Sequence, residues 1–409
     1  MKIAIVGAGI VGVTTAYELA HDGHEVTVFE QRSAAAEEAS FANAGLLAPY
    51  LTTPCALAGK KAHSQVGPLG GTPTGIRMAQ GAGLSELAWL WRWRRSPTPL
   101  AALEGLARYS SQRTLDLAAR HELDFESHTS RLVLFRTAKD RAQLQPLLDW
   151  LRESGTPIQD ISPEDARQRE PGLSPEAPLD SVVLLPSATS GNCRLFAQML
   201  RQGMQSAGVQ FAFNTPVTAL SSGPIGLQLQ GEPDIRRFDT VVLCAGAASP
   251  ALLRPHGLKL PMASVFGYSV SAPLREATHA PLTSAIDVQQ QITITRQGQR
   301  IRIAGGAEVG SPQAPHHHAT LQRLYRAVND WFPGGAQLSG SLQIWRGARP
   351  TLPDGAPALG HSGLPGIWLN TGHGDGGWAL ACGSARVVAD LIAQRTPEID
   401  LQGMEAQRF

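Results

Sequence analysis

Three glycines near the start of the chain, Gly7, Gly9 and Gly12, limit what it can fold into more than any other feature. They follow a short apolar run, Ile3 to Val6, at the spacing G-x-G-x-x-G, and precede a helical pattern through Tyr17, Leu19 and Ala20. The pattern predicts a strand, a tight turn and a helix. Gly7 permits the turn, Gly9 lets backbone approach a pyrophosphate, and Gly12 lets helix and strand pack closely, while the helix N-terminus offers a positive dipole and N–H donors. After the breaker Asp22-Gly23, a second strand from Val26 to Phe29 ends on Glu30. A carboxylate about twenty residues past the glycines can accept hydrogen bonds from both hydroxyls of a ribose. The glycine spacing alone is a weak signal; strand, helix, strand and terminal acid together predict a dinucleotide site in an α/β fold with a parallel sheet.

The 409 residues, 43% apolar and 17% charged, suffice for large cores and predict two domains. Lys and Arg number 35 against 34 acids, so no net field attracts nucleic acid, and a small molecule is the expected partner. Cys55, Cys193, Cys244 and Cys382 contain no C-x-x-C pair; they read as reduced, buried thiols of a cytoplasmic protein, neither a disulfide framework nor a metal site. No cleaved secretory signal is expected, because the nucleotide strand already begins at residue 3. No uncharged apolar stretch approaches the roughly twenty residues of a membrane span.

Further along, residues 31–49 are rich in small side chains, with Ser40, Asn43, Ala44 and Gly45 close together. They suit a loop running along a planar cofactor, although a surface loop would have the same composition. Residues 51–83 are dense in Pro, Gly and Thr and read as a long irregular connection. In the segment 85–97, Trp89, Trp91 and Trp93 alternate with Arg92, Arg94 and Arg95; a membrane-interface helix and a core helix would both look like this. Helical periodicity covers 100–121 and 139–154, with a strand at 131–135 between them. A helix is expected to start at Ser162-Pro163, a strand at 181–185, a helix over 193–207, a strand at 209–213 and a small meander over 217–238. The buried strand of residues 238–249 ends in small residues including Ala245 and Gly246, which lets backbone reach the crevice faced by the first glycines. Strand-like runs at 265–270, 291–295 and 301–303 suggest an antiparallel second sheet. His316, His317 and His318 sit in a polar loop and read as solvated side chains.

A second unit of strand, glycine loop and helix lies far from the first, at residues 366–370, 371–377 and 378–393. Two such units facing one crevice suit a long cofactor with a bulky ring at its far end.

On the segments IVGAGIVGVTTAYELAHDGHEVTVFE, EASFANAGLLAP, LPSATSGNCRLFAQML, FGYSVSAP, WRGARPTLPDGAPALG and WLNTGHGDGGWALACGSARVVADL, the chain resembles the FAD-dependent D-amino-acid oxidase superfamily, and within it the small-subunit type of bacterial D-amino-acid dehydrogenase. The resemblance implies a discontinuous Rossmann-like FAD domain (1–50, 188–250 and 341–397), an α+β substrate domain with an antiparallel sheet (51–187 and 251–340) and a C-terminal tail (398–409). It places Gly7, Gly9, Ile10, Val11 and Gly12 at the pyrophosphate, and Glu30, Gln31 and Arg32 at the adenosine ribose. Ser40, Asn43, Ala44, Gly45 and Leu46 would lie along the flavin, with Val217, Ala245 and Gly246 completing the crevice. Gly372, His373, Gly374, Asp375, Gly376, Gly377 and Trp378 match the loop that meets the ring. Arg349, in W-x-G-x-R-P, matches the arginine that binds the substrate carboxylate; Tyr50, Tyr268 and His373 are the further residues of the catalytic end, and Arg346 is a competing, structural arginine. Two departures stand out, Asp375-Gly376 where the family has Thr-Leu and Phe266 where it has Lys.

The implied activity is oxidative deamination of a D-amino acid to the 2-oxo acid and ammonia, with hydride passing from Cα to flavin N5 and electrons going on to a quinone or similar acceptor. An oxygen-using amine oxidase, or a flavoprotein subunit of a larger complex, are the alternatives. The expected location is the cytoplasm, with residues 85–97 as a candidate contact with the inner face of the inner membrane.

Overall fold

The computed structural model describes residues 1–47 and 75–409; Tyr50, Cys55 and most of the expected irregular connection lie outside the described residues. The first sheet has six strands in the spatial order Ala358–His361, Ile367–Thr371, Thr240–Leu243, Lys2–Val6, Glu25–Phe29 and Gln210–Ala212. Every neighbouring pair is parallel except the edge strand Ala358–His361, which runs antiparallel to Ile367–Thr371. Ile3, Ala4, Ile5, Val241 and Val242 are fully buried, as a parallel sheet covered on both faces requires. The helices Ile10–His21 and Gly377–Ile392 pack side by side against it.

An ionic cluster joins these two helices. Arg386 donates to Glu18 at 2.9 Å and to Asp22 at 2.5 Å, and Arg113, from the helix Leu100–Arg120, also meets Glu18. That third helix contributes Leu103, Leu106 and Leu117 to the same core, so residues expected in the substrate domain pack with the nucleotide sheet.

The second sheet has nine strands and is largely antiparallel, in the order Gln343–Thr351, Ala263–Pro273, Arg300–Val309, Ile292–Gln297, Ser284–Asp287, His128–Phe135, Ser181–Ser190 and Gln159–Ile161, with Arg77–Met78 attached beside Val309. Its single parallel pairing within this path joins Ser284–Asp287 to His128–Phe135. The strand Gln343–Thr351 belongs here, paired antiparallel with Ala263–Pro273, although its sequence neighbours had placed 341–397 with the nucleotide domain. Its side chains are mostly half-buried, which hides the alternation that marks a strand. Residues 217–237 form the expected small meander of three strands. The C-terminal segment is not a loose tail, since Met404 is fully buried and Arg408 pairs with Asp354 at 2.7 Å.

Candidate active site

The strand Lys2–Val6 lies between Thr240–Leu243 and Glu25–Phe29, both parallel to it, and its carboxyl end opens into a crevice. Gly7 turns there with φ +102°, and a Cβ on it would lie 2.6 Å from the Cys244 carbonyl oxygen. Gly12 is tighter still: its Cβ would fall 1.9 Å from the Gly7 carbonyl oxygen. The Glu30 carboxylate accepts from the backbone N–H of Ala8 (2.7 Å) and of Arg32 (2.8 Å), which fixes it beside the turn. Ser40 Oγ accepts from Ile10 N–H at 3.0 Å, capping the helix from a distant loop, a contact that residue type alone does not signal.

From this turn a cavity of ≈ 1000 Å³ runs between the two sheets, at the upper end of the roughly 300–1,000 Å³ usual for small-molecule sites. Its wall includes Gly7, Gly9, Ile10, Val11, Glu30, Gln31 and Arg32 at one part. Ser40, Asn43, Ala44, Gly45, Leu46, Val217, Ala245 and Gly246 also line it, as do Gly372, His373, Gly374, Asp375, Gly377 and Trp378. Gly12, close against the Gly7 backbone, and the buried Gly376 are not part of the wall. Gly45 adopts φ +78°, and a Cβ there would strike Gln297 Nε2 and Gly191 O at 2.7 Å. Polar groups wait along the floor: among the described residues, the buried atoms Asn370 Oδ1 and Trp378 Nε1 have no hydrogen-bond partner. A long cleft with a glycine turn and helix N-terminus at one part and a second glycine turn at another fits an extended dinucleotide.

The second sheet supplies the other wall. Arg349 folds back over Gly267, where a Cβ would come within 2.6 Å of the guanidinium. Its Nη2 donates to Gly306 O at 2.5 Å and its Nε to Val265 O at 3.3 Å, and its Nη1 forms an ion pair with Asp375 from the glycine turn. Both side chains keep some exposure, 23% and 15%. Tyr268, also at the cavity wall, donates its hydroxyl to Glu308 at 2.8 Å and accepts from His317 N–H at 2.9 Å; burial and the adjacent Glu308 hold its phenol above the ordinary range. Burial alone would raise Glu308, but hydrogen bonds from Arg346, Arg77 and Tyr268 bring it below the usual carboxylate range. Arg346 is engaged by Glu308 at 2.6 Å and by the carbonyls of Pro312 and Ser311, and it stacks 3.7 Å above the Phe266 ring. That contact gives the unusual Phe266 a physical role. His373 is 3% exposed and bonded through Nε2 to Ser384 Oγ at 3.0 Å, and burial pushes its pKa down to about 3. Sequence reasoning missed Glu308, which organises Arg346, Tyr268 and Arg77; a lone glutamate in an apolar strand carries no local signal.

A dinucleotide crevice roofed by a separate antiparallel sheet defines a two-domain flavoprotein of the oxidoreductase class. The chain belongs to the DAO family of FAD-dependent oxidoreductases, whose model matches residues 2–391, and its cofactor is FAD. It is 38% identical to a D-amino acid dehydrogenase of Cereibacter sphaeroides over 421 aligned positions, covering all of this chain and 95% of that one. Solved structures share the fold: glycine oxidase from Bacillus cereus, 20% identical with TM-score 0.75, covers 100% of this chain and 99% of its own. The FAD-bound L-α-glycerophosphate oxidase of Mycoplasma pneumoniae is 17% identical with TM-score 0.71, over 96% of this chain and 94% of its own.

Proposed function

We propose that the enzyme oxidises a free α-amino acid, of D configuration, to the imino acid, which water hydrolyses to the 2-oxo acid and ammonia, with a membrane quinone as final electron acceptor. The observation that carries this reading is the placement of Arg349 at the cavity wall shared with the 372–377 turn, its guanidinium already oriented by two backbone carbonyls. Bound FAD supplies the two-electron acceptor. Glu30 and the turn at Gly7 and Gly9 would hold its adenosine and pyrophosphate, and the segments 40–46 and 372–378 would flank its ring. Arg349 contributes orientation, because a guanidinium fork meets a carboxylate through two parallel charge-assisted hydrogen bonds and so fixes which face of Cα is presented. Holding a reactant this way lowers a barrier by about 7 kcal/mol or more in well-aligned cases. Tyr268 limits the pocket without donating to substrate, since its proton goes to Glu308. His373 acts as a neutral spacer behind the turn, too acidic as an imidazolium to hold a proton at neutral pH.

Arg349→Ala should lower kcat/KM about a hundredfold or more on every amino acid used, with FAD content unchanged; activity near wild type sinks the assignment. Aerobic turnover decides the acceptor, because stoichiometric peroxide would make the enzyme an oxidase.

Docking on a bilayer would bring the enzyme to its quinone. No helix among the described residues is long and apolar enough to cross a membrane, but Leu84, Leu87 and Trp91 are exposed on the helix Leu84–Arg95, beside Arg92, Arg94 and Arg95. Apolar residues spaced by three and four, next to arginines, suit an interfacial helix on anionic lipid. Replacing Leu84, Leu87 and Trp91 by Ser should abolish co-sedimentation with anionic vesicles while dye reduction in solution continues.

A further inference from the structure

We propose that Asp375 is a specificity-determining residue of this site, favouring amino acids that carry an additional cation and disfavouring those with a second carboxylate. The inference rests on the reading of Arg349 as the anchor of the substrate carboxylate. Asp375 stands in the tight turn between Gly374 and Gly376, at the start of the helix Gly377–Ile392. Its carboxylate crosses from the nucleotide sheet's turn to the second sheet and ion-pairs with Arg349 Nη1. Both residues line the cavity, so a substrate that reaches Arg349 also meets Asp375.

The other charges on this wall are differently disposed. Arg346 is 4% exposed and held by Glu308, itself 2% exposed, so their charges oppose one another at short range. Arg77, the second partner of Glu308, has a side chain 38% exposed, where water screens it. Among the described residues, the remaining lining carboxylates, Glu30, Glu37 and Glu38, belong to the segments that follow the strand Glu25–Phe29. At the substrate end, then, among the described residues, Arg349 and Asp375 form a dyad of opposite charges. A zwitterionic amino acid finds an attraction for each of its charges. An additional cation finds the Asp375 side of the dyad, whereas a second carboxylate meets like charge, and a simple carboxylate lacking an amine must share Arg349 with Asp375 and gains nothing in return.

The test uses the FAD-loaded enzyme and two neutral variants, Asp375→Asn and Asp375→Ser. Dye reduction is measured with D-arginine, D-alanine and D-glutamate, and propionate is titrated against the absorbance of the bound flavin. Loss of the charge should raise the kcat/KM ratio of D-glutamate to D-arginine about tenfold or more and tighten propionate about tenfold, as expected for removing one charged competitor. Asp375→Glu, which keeps the charge, should retain the wild-type order of substrates. Ratios and propionate affinity within twofold of wild type in both neutral variants, with full FAD content, overturn the proposal, as does a shift in only one of them. Failure of the underlying amino-acid reading looks different: wild type then reduces dye with none of the amino acids, and Arg349→Ala leaves propionate binding unchanged.

Discussion

His373 shows how burial sets chemistry one residue at a time. Ser384 donates its own proton to Ala381 O at 3.1 Å, so it accepts from His373 Nε2–H, and the ring is locked as one neutral tautomer. Because burial lowers the folded pKa to about 3 from the ordinary value of 6.5, the unfolded chain takes up this proton before the folded protein does. The stabilising contribution is therefore complete above the unfolded pKa and is lost as pH falls from about 6.5 toward 3. Between pH 7 and 5 the loss from this residue is about 2 kcal/mol. Urea unfolding of wild type and His373→Asn at both pH values should show a drop smaller by about that amount in the variant; parallel drops would refute the neutral assignment. The glycines and Glu30 were legible in sequence because their constraints are local: a turn, a close helix and a strand end. The Arg349–Asp375 pair was not, because 26 residues and a change of sheet separate its members, and only the assembled fold brings them together.

The helix Leu84–Arg95 illustrates the next scale. Its alternating tryptophans left core and interface equally open, and the structure divides them. Trp89 is buried, stacks on Trp93 at 6.2 Å and donates Nε1–H to Thr351 O at 3.2 Å, while Trp91 is 59% exposed under Arg95. Thr351 ends the strand that carries Arg349, so the inner face of this helix buttresses the substrate wall. Trp89→Ala should cost about 3 kcal/mol of stability and also raise KM, whereas Trp91→Ala should stay within about 0.5 kcal/mol; equal effects on thermal unfolding would contradict this division. Other elements were readable from their ends. Asn192 Oδ1 caps Leu195 N–H and Ser162 Oγ caps Asp165 N–H, where the sequence had predicted helix starts. The strand Gln343–Thr351 was opaque because Gly347, Pro350 and two arginines interrupt any apolar alternation, and its pairing partner lies 72 to 88 residues earlier at Ser271 to Ala263.

At the scale of the molecule, the cavity is assembled from both ends of the chain and from both sheets, each braced by its own ionic cluster and joined to the other by the Arg349–Asp375 pair. The ionic cluster of Glu18, Asp22, Arg113 and Arg386 fastens the first and last helices under the nucleotide crevice, while Glu308 and its arginines brace the second sheet. The loops at 40–46 and 372–377 both meet the second sheet, the first through Thr295 and Arg302 and the second through Arg349, and the cofactor would lie along both, so FAD binding should slow exchange in both together. Mass action gives the scale: free FAD at a hundred times its Kd stabilises by about 2.7 kcal/mol. Hydrogen exchange on apo and FAD-loaded protein should therefore show slowing concentrated at residues 8–12, 40–46 and 372–378. The amides of the meander at 217–237, apart from Val217, should change little, because its remaining residues do not line the cavity. Protection spread evenly over the chain would mean that the crevice forms only on loading. Protection confined to residues 8–12 would mean that the far turn is not part of the cofactor site at all.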